Sequence, residues 1–253
     1  FFGREKETQQ LASLVIAHRA VLLYARSGAG KTSLLQAGLI PHLKDRGKVS
    51  VLPICRVSRD LPPDIDRAAV QNRYVFSALL SLTSEATQPD ELIGLTLNEG
   101  LSKRLRPAAD ERRVQPRLLV FDQFEELFTL HPAGYMEQRA DFFSQVQEAL
   151  SAYPQLGVLF SMREDYIARL DPHAAQLPDR LRVRFRLELL GEEGARMAIQ
   201  EPARLAGVDF TDTAAEKLIN DLRRVRIQLP DDTTEEQLGE YVEPVQLQLV
   251  CRR

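Results

Sequence analysis

The chain has no tryptophan, three methionines and only two cysteines in 253 residues. Two cysteines cannot build the disulfide framework of a small secreted domain, and a chain this long can bury a sizeable core without one. Cys55 lies in an apolar strand-like run and Cys251 at the end of an apolar helical pattern, so both are expected to be buried free thiols. Histidine is sparse too. His18, His42, His131 and His173 are scattered, without ligand spacing or paired cysteines, which argues against a zinc site. No run of eighteen apolar residues exists, so no transmembrane helix is expected in this sequence, nor is a signal peptide expected. An excess of one charge is also missing: Lys and Arg number 33, Asp and Glu 36, and the net charge is −3. General nucleic-acid binders are usually basic, so DNA or RNA is not expected as the main partner. A hydrophobic content of 44% with 27% charged residues fits a globular cytoplasmic protein with a real core. The chain opens Phe1-Phe2-Gly3 without Met and stops at Arg253 inside a helical pattern. Both ends read as cuts, so a fragment of a longer protein is expected.

What is present is an alternation of strand and helix. A helix is predicted from Glu5 to His18, with Leu11, Leu14, Val15 and Ala17 at helical spacing. Strands are predicted at Val21–Tyr24, Val49–Val57, Leu118–Phe121, Val158–Ser161 and Val183–Leu187. Helices are predicted at Leu34–Leu43, Tyr74–Leu82, Leu92–Leu105 and Met136–Leu150. Mostly apolar strands separated by helices argue an α/β fold, a parallel sheet covered on both faces. From Gly191 no strand pattern is visible. Ala195, Ala198 and Ile199 form one helical stripe ending near Pro202. Ala214, Leu218, Ile219 and Leu222 form a second, and Leu247, Leu249 and Val250 begin a third. The expected organisation is an α/β domain over residues 1–189 and a small helical subdomain over 190–253. Gln228–Tyr241 and Asp60–Asp66, polar or proline-bearing, are expected loops.

One stretch carries specific chemistry. Ala25-Arg26-Ser27-Gly28-Ala29-Gly30-Lys31-Thr32 follows an apolar strand and precedes a helical pattern, the context of a phosphate-binding P-loop. Backbone N–H groups aimed inward at a helix start can satisfy crowded phosphate charge. Gly28 and Gly30 allow close backbone approach, Lys31 brings an ammonium to the β/γ-phosphates, and the Thr32 hydroxyl can ligate Mg²⁺. The first glycine of the usual G-x-x-x-x-G-K-[ST] pattern is Ala25 here, so the strand exit must fit a Cβ.

The second signal is Leu118-Leu119-Val120-Phe121-Asp122-Gln123-Phe124-Glu125-Glu126. A carboxylate at the end of an apolar strand can hold Mg²⁺ beside a P-loop, a role that falls to Asp122. Glu125 and Glu126 are candidates for orienting or deprotonating a water, with Glu126 preferred because adjacent acids seldom share one job. Either could equally be a charge favoured at a helix start. Arg163, ending Val158-Leu159-Phe160-Ser161-Met162-Arg163, can reach a γ-phosphate or pair with Glu164 or Asp165. Arg180-Leu181-Arg182-Val183-Arg184-Phe185-Arg186 reads as a half-buried edge strand with arginines outward, the other reading being a nucleic-acid strip. Lys103, Arg104, Arg106, Arg112 and Arg113 read as a solvated helix face and loop.

Five segments in order resemble the STAND NTPases, signal-transduction ATPases with numerous domains related to the AAA+ P-loop class, and within them the novel STAND subgroup. They are Phe1-Phe2-Gly3-Arg4-Glu5, Ser27–Leu43, Asp122–Glu126, Ser161–Tyr166, and Val242-Glu243-Pro244-Val245-Gln246-Leu247-Gln248-Leu249. The resemblance spans essentially the whole chain. It implies that Phe2, Gly3 and Arg4 lie near adenine and that Ser27, Gly28, Ala29, Gly30, Lys31, Thr32 and Ser33 hold the phosphates. It makes Arg163 a sensor arginine, and Pro244 the proline that packs on adenine from the helical region. The glycine usual two residues before that proline is Val242 here.

The function the resemblance implies is a regulatory ATPase core that binds ATP or ADP with Mg²⁺, hydrolyses slowly and switches conformation and self-association. Effector and sensor domains in the same chain would flank it, and many such proteins serve bacterial defence or signalling. Two alternatives stay open: an AAA+-type motor or loader acting on nucleic acid, and a non-hydrolysing nucleotide-stabilised scaffold.

Overall fold

The computed structural model describes residues 2–83, 87–105, 115–129, 135–228 and 234–251. Phe1, Arg106, Arg112, Arg113, His131, the centre of the Gln228–Tyr241 segment and Arg253 therefore lie outside the described residues, as does the Lys103 side chain.

Helix α1 (Glu5–Ala17) leads into strand β1 (Ala20–Ala25), and the P-loop leads into α2 (Lys31–Ser33), a π-helical stretch at Leu34–Leu39, and α3 (Ile40–Arg46). These last three run on as one helix. The register slips ahead of Pro41, which has no N–H to donate and whose ring would meet the carbonyl four residues back; the Ile40 N–H reaches Leu35 instead of Gln36. Strand β2 is only Ser50–Val51, followed by an isolated bridge from Cys55 to Phe121. The predicted strand Val49–Val57 is broken at Pro53, which cannot donate to a ladder. Helices α4 (Arg73–Leu82) and α5 (Leu97–Leu105) follow, with a 3₁₀ turn at Pro89–Leu92 and a turn through Gly94, so the predicted helix Leu92–Leu105 begins only at Leu97. Then come β3 (Arg117–Phe121), α6 (Glu126–Thr129), α7 (Met136–Ala152), β4 (Leu156–Arg163), α8 (Ile167–Ala174) and β5 (Arg184–Arg186).

The five strands form one parallel sheet in the order β2-β3-β4-β1-β5. Period-2 alternation sends side chains to both faces. Ala20 and Leu22 of β1, Leu119 and Phe121 of β3, and Val158, Phe160 and Met162 of β4 enter a core covered by α4, α5, α7 and α8. Val21, Leu23 and Ala25, Leu118 and Val120, and Leu159 enter a second core with Leu11 of α1, Leu34 and Leu39 of the π stretch, and Leu43 of α3. The parallel α/β sheet with flanking helices is thus present as expected.

The chain after Leu189 is different. Helices α9 (Glu192–Leu205), α10 (Asp212–Leu222) and α11 (Pro244–Cys251) surround a small cluster of Leu190, Ala195, Ile199, Ile219, Val242 and Leu247. Four expectations need correcting. Strands β6 (Arg224–Gln228), ahead of the expected loop, and β7 (Thr234–Leu238), inside it, form an antiparallel hairpin in a region where no strand pattern is visible in the sequence. Strand β7 is exposed throughout, and the alternation of β6, Arg-Val-Arg-Ile-Gln, spans only two apolar residues, of which Val225 is exposed, so the sequence pattern is too short to mark a buried face. Helix α9 continues one turn past Pro202. In α10 it is Ala215 that is buried, not Ala214, because the 3.6-residue period from Ile219 falls on 215. In α11 only Leu247 is buried among the described residues, while Leu249 and Val250 are exposed on a helix too short to cover both sides. Among the described residues no helix is long and apolar enough to cross a membrane.

Candidate nucleotide site

The carboxyl-terminal ends of β1, β3 and β4 lie side by side, the edge at which open α/β sheets bind ligands. Ala25 ends β1, fully buried, paired in register with Arg163 of β4, and its Cβ packs in the second core. Its φ is not positive, so this position needs no glycine. The next residues do. Gly28 and Gly30 have φ of +78° and +91°, left-handed values that cost glycine nothing. The loop closes with the Leu34 N–H on the Gly30 carbonyl at 2.8 Å.

Lys31 is the only charged residue of the loop that is buried among the described residues. Its Nζ donates to the Arg26 carbonyl at 3.3 Å and the Ala25 carbonyl at 3.5 Å. Burial draws its pKa below the usual lysine value, with Glu125 and Asp122 opposing that shift. Thr32 Oγ1, on the helix that follows β1, donates to Asp122 Oδ2, just past β3, at 2.7 Å, across the end of β4 that lies between the two strands. The other oxygen, Oδ1, accepts from Ser161 Oγ at 2.8 Å. Ser161 is fully buried in β4 and was not singled out by sequence; only its place one strand over from Asp122 could have suggested it. A hydroxyl and a carboxylate held together beside the loop are hard oxygen donors of the kind Mg²⁺ takes.

Two adjoining cavities open here. One, of about 230 Å³, is lined by Ser27, Gly28, Lys31, Thr32, Glu125 and Arg163 together with Gln123. The other, about 300 Å³ and mainly apolar, is lined by Phe2, Arg4, Ala29, Leu190, Ala198, Pro202, Leu247 and Cys251. Gly30, Ser33, Pro244 and Gln248 border both. Pro244 lies above the loop: a Cβ on Gly30 would be 3.9 Å from it, and one on Gly28 would be 3.4 Å from Val245.

The two candidate acids separate. Glu125 lines the polar cavity and accepts the Arg163 backbone N–H at 3.2 Å. Glu126, the residue preferred from sequence, does not line it. Its carboxylate is held by the Arg56 guanidinium and the Ser58 hydroxyl at the start of α6. Arg163 reaches the cavity while pairing with Asp165 at 2.5 Å, which raises its pKa. Its guanidinium carbon also lies 5.6 Å from the Tyr166 ring centre. Its Nε is buried and has no hydrogen-bond partner among the described residues, a donor with capacity for a ligand.

The amino-terminal segment is fixed rather than free. Arg4, only 5% exposed, donates to the Glu188 carbonyl at 2.7 Å and the Ala29 carbonyl at 3.4 Å, and pairs with Glu7. Gly3 has φ +80° and crosses α9 so closely that a Cβ there would be 2.2 Å from the Gly194 oxygen. Val242 is fully buried and exchanges backbone hydrogen bonds with Leu190. That bridge sets the start of α11 with ordinary dihedrals, which explains why valine serves at this position.

A match to the family model of novel STAND NTPase 1 covers residues 1–231. The chain belongs to the novel STAND NTPases. A comparison with curated proteins gives no match. Among solved structures, this STAND NTPase is similar to the Walker-type ATPase paby2304 of Pyrococcus abyssi, with TM-score 0.59 and 16% identity over 88% of this chain and 63% of that one. It is similar to the Aeropyrum pernix ORC2 protein with ADPNP and ADP, with TM-score 0.54 and 13% identity over 80% of this chain and 52% of that one. It also matches a chain of the Escherichia coli MS115-1 HORMA:CdnC:Trip13 complex, with TM-score 0.57 and 13% identity over 99% and 81%. At these identities the likeness is one of fold, and the STAND NTPase spans about half the length of the ORC2 chain.

Other expectations resolve more simply. Cys55 is buried, and burial pushes its thiol pKa up. Cys251 is exposed, contrary to expectation, because it lies in the last turn of α11 at the mouth of the apolar cavity. Of the arginine strip only Arg184–Arg186 forms the sheet edge as β5, because Arg180 and Leu181 turn through a 3₁₀ segment ahead of it. Its outward Arg184 pairs with Asp171 at 2.5 Å, and Arg186 with Glu164 and Glu188 at 3.1 Å each. Those acids neutralise much of the charge a phosphate backbone would need.

Proposed function

We propose that the chain is the switching core of a STAND ATPase, an α/β domain at 1–189 and a helical lid at 190–253 joined by a bound adenine nucleotide. The observation that carries this is the pair of cavities sharing Gly30, Ser33, Pro244 and Gln248. One offers backbone N–H groups, an ammonium and a guanidinium to phosphates. The other offers Phe2, Leu190, Pro202 and Pro244 to a flat apolar base. In this reading Gly28 to Ser33 and Lys31 bind the phosphates, while Phe2, Gly3, Arg4 and Pro244 enclose adenine. Thr32 and Asp122 would hold Mg²⁺, which when bound neutralises charge on the phosphate oxygens. Ser161 keeps the Asp122 carboxylate aimed. Glu125 accepts a proton from the attacking water, and Arg163 meets the terminal phosphate.

A nucleotide can bias two conformations only through contacts that differ between them. ADP contacts both halves and favours closure. Moving such an equilibrium from mostly closed to mostly open takes about 5.5 kcal/mol of differential affinity, more than one contact to Arg163 supplies. Slow hydrolysis, opening and self-association then depend on flanking effector and sensor domains, in defence or signalling. Calorimetry with ADP-Mg²⁺ tests the site. Lys31→Ala should lose about 1.5–3 kcal/mol of binding, and equal affinity for variant and wild type would contradict the assignment.

A further inference from the structure

Gln123 leaves β3 immediately after Asp122 with a φ of +53°. A left-handed backbone is unfavourable for any residue with a Cβ, and glycine would adopt it freely. The turn demands the conformation: the Phe124 N–H donates to the Ser161 carbonyl at 2.8 Å and the Gln123 carbonyl accepts the Glu126 N–H at 3.0 Å. The other non-glycine residues with positive φ among the described residues are Asp179, Arg180 and Leu181, and none of them lines either cavity. Gln123 does, beside Lys31, Thr32, Glu125 and Arg163. Strain at a residue that borders a ligand cavity points to a task for its side chain. A carboxamide is neutral, so it adds an N–H donor to an anion site without repelling the anion as a third acid there would.

We propose that Gln123 distinguishes nucleoside triphosphate from diphosphate, its carboxamide donating to the terminal phosphate alongside Arg163. This rests on the nucleotide reading of the site. The test is calorimetry of wild type, Gln123→Ala and Gln123→Gly with ADP-Mg²⁺ and a non-hydrolysable ATP analogue, with Lys31→Ala run alongside. Gln123→Ala keeps the strained turn and loses the amide. It should bind the analogue about tenfold more weakly, with ADP affinity changed less than about twofold. Gln123→Gly should show the same selective loss and raise the Tm of the nucleotide-free protein by about 2 °C. Unchanged analogue affinity in both variants, or equal losses for both nucleotides, would overturn the proposal. A lower Tm for Gln123→Gly would remove its strain argument. If Lys31→Ala binds ADP like wild type, the nucleotide reading itself fails; if it loses ADP while the Gln123 variants do not discriminate, only the role of Gln123 fails.

Discussion

The two halves of this chain bury their side chains in different ways. The sheet is closed on both faces, with Phe121, Phe124, Phe142, Phe143 and Phe160 packed ring against ring on one of them. The region after Leu189 has one small cluster of mostly aliphatic residues, an exposed hairpin, and a terminal helix that buries a single leucine among its described residues. The first half can hold its shape by core burial. The second reaches the first through narrow contacts: the Gly3–Gly194 crossing, the Leu190–Val242 bridge, and Pro244 and Val245 over the P-loop. A region with so little core of its own is suited to be moved by a ligand that touches it.

The contrast can be broken most severely by truncating each core. Phe121→Ala should cost about 3–5 kcal/mol of global stability, read as a lower midpoint in urea. Ile219→Ala should leave the main transition near its wild-type midpoint and increase proteolytic cleavage within 190–251. An equal drop in the main midpoint for both would mean that the halves unfold as one unit.

The site chemistry sharpens the same contrast. Glu125→Gln should reduce hydrolysis about 10²-fold or more in the protein with its flanking domains, and leave ADP binding near wild type. Glu126→Gln should weaken the tie to Arg56 and Ser58, lower stability, and leave turnover largely intact. Turnover lost in Glu126→Gln and kept in Glu125→Gln would reverse the assignment. Arg163→Ala should have a smaller effect, weakening an ATP analogue more than ADP by up to about tenfold. Equal weakening of both nucleotides would make Arg163 a structural residue paired with Asp165.

Much of the candidate site was legible because it is local. Strand, glycine loop and Lys31-Thr32 are contiguous, and Asp122 and Arg163 each end an apolar run. The division between Glu125 and Glu126 was not legible, because it depends on Arg56 and Ser58, 70 and 68 residues from Glu126 in the chain. Ser161 was hidden for a similar reason: a serine in an apolar strand shows its use only when β4 lies against β3. The β6-β7 hairpin was missed because β7 is exposed throughout and the alternation in β6 spans only Val225 and Ile227, too short to read as a strand, and the strain at Gln123 is invisible in a residue name. Ala25 and Val242, both departures from the family pattern, proved ordinary once their dihedrals and packing were known.

The central claim is that one nucleotide ties the thin-cored half to the thick-cored one. Hydrogen exchange with and without ADP-Mg²⁺ tests it most directly. The account predicts that amides of α9 and α11 and of the Gly3 segment gain protection together with the P-loop, while β1, β3 and β4, already protected by their core, change little. ADP that binds and protects the P-loop alone, leaving α9 and α11 exchanging as before, would contradict it.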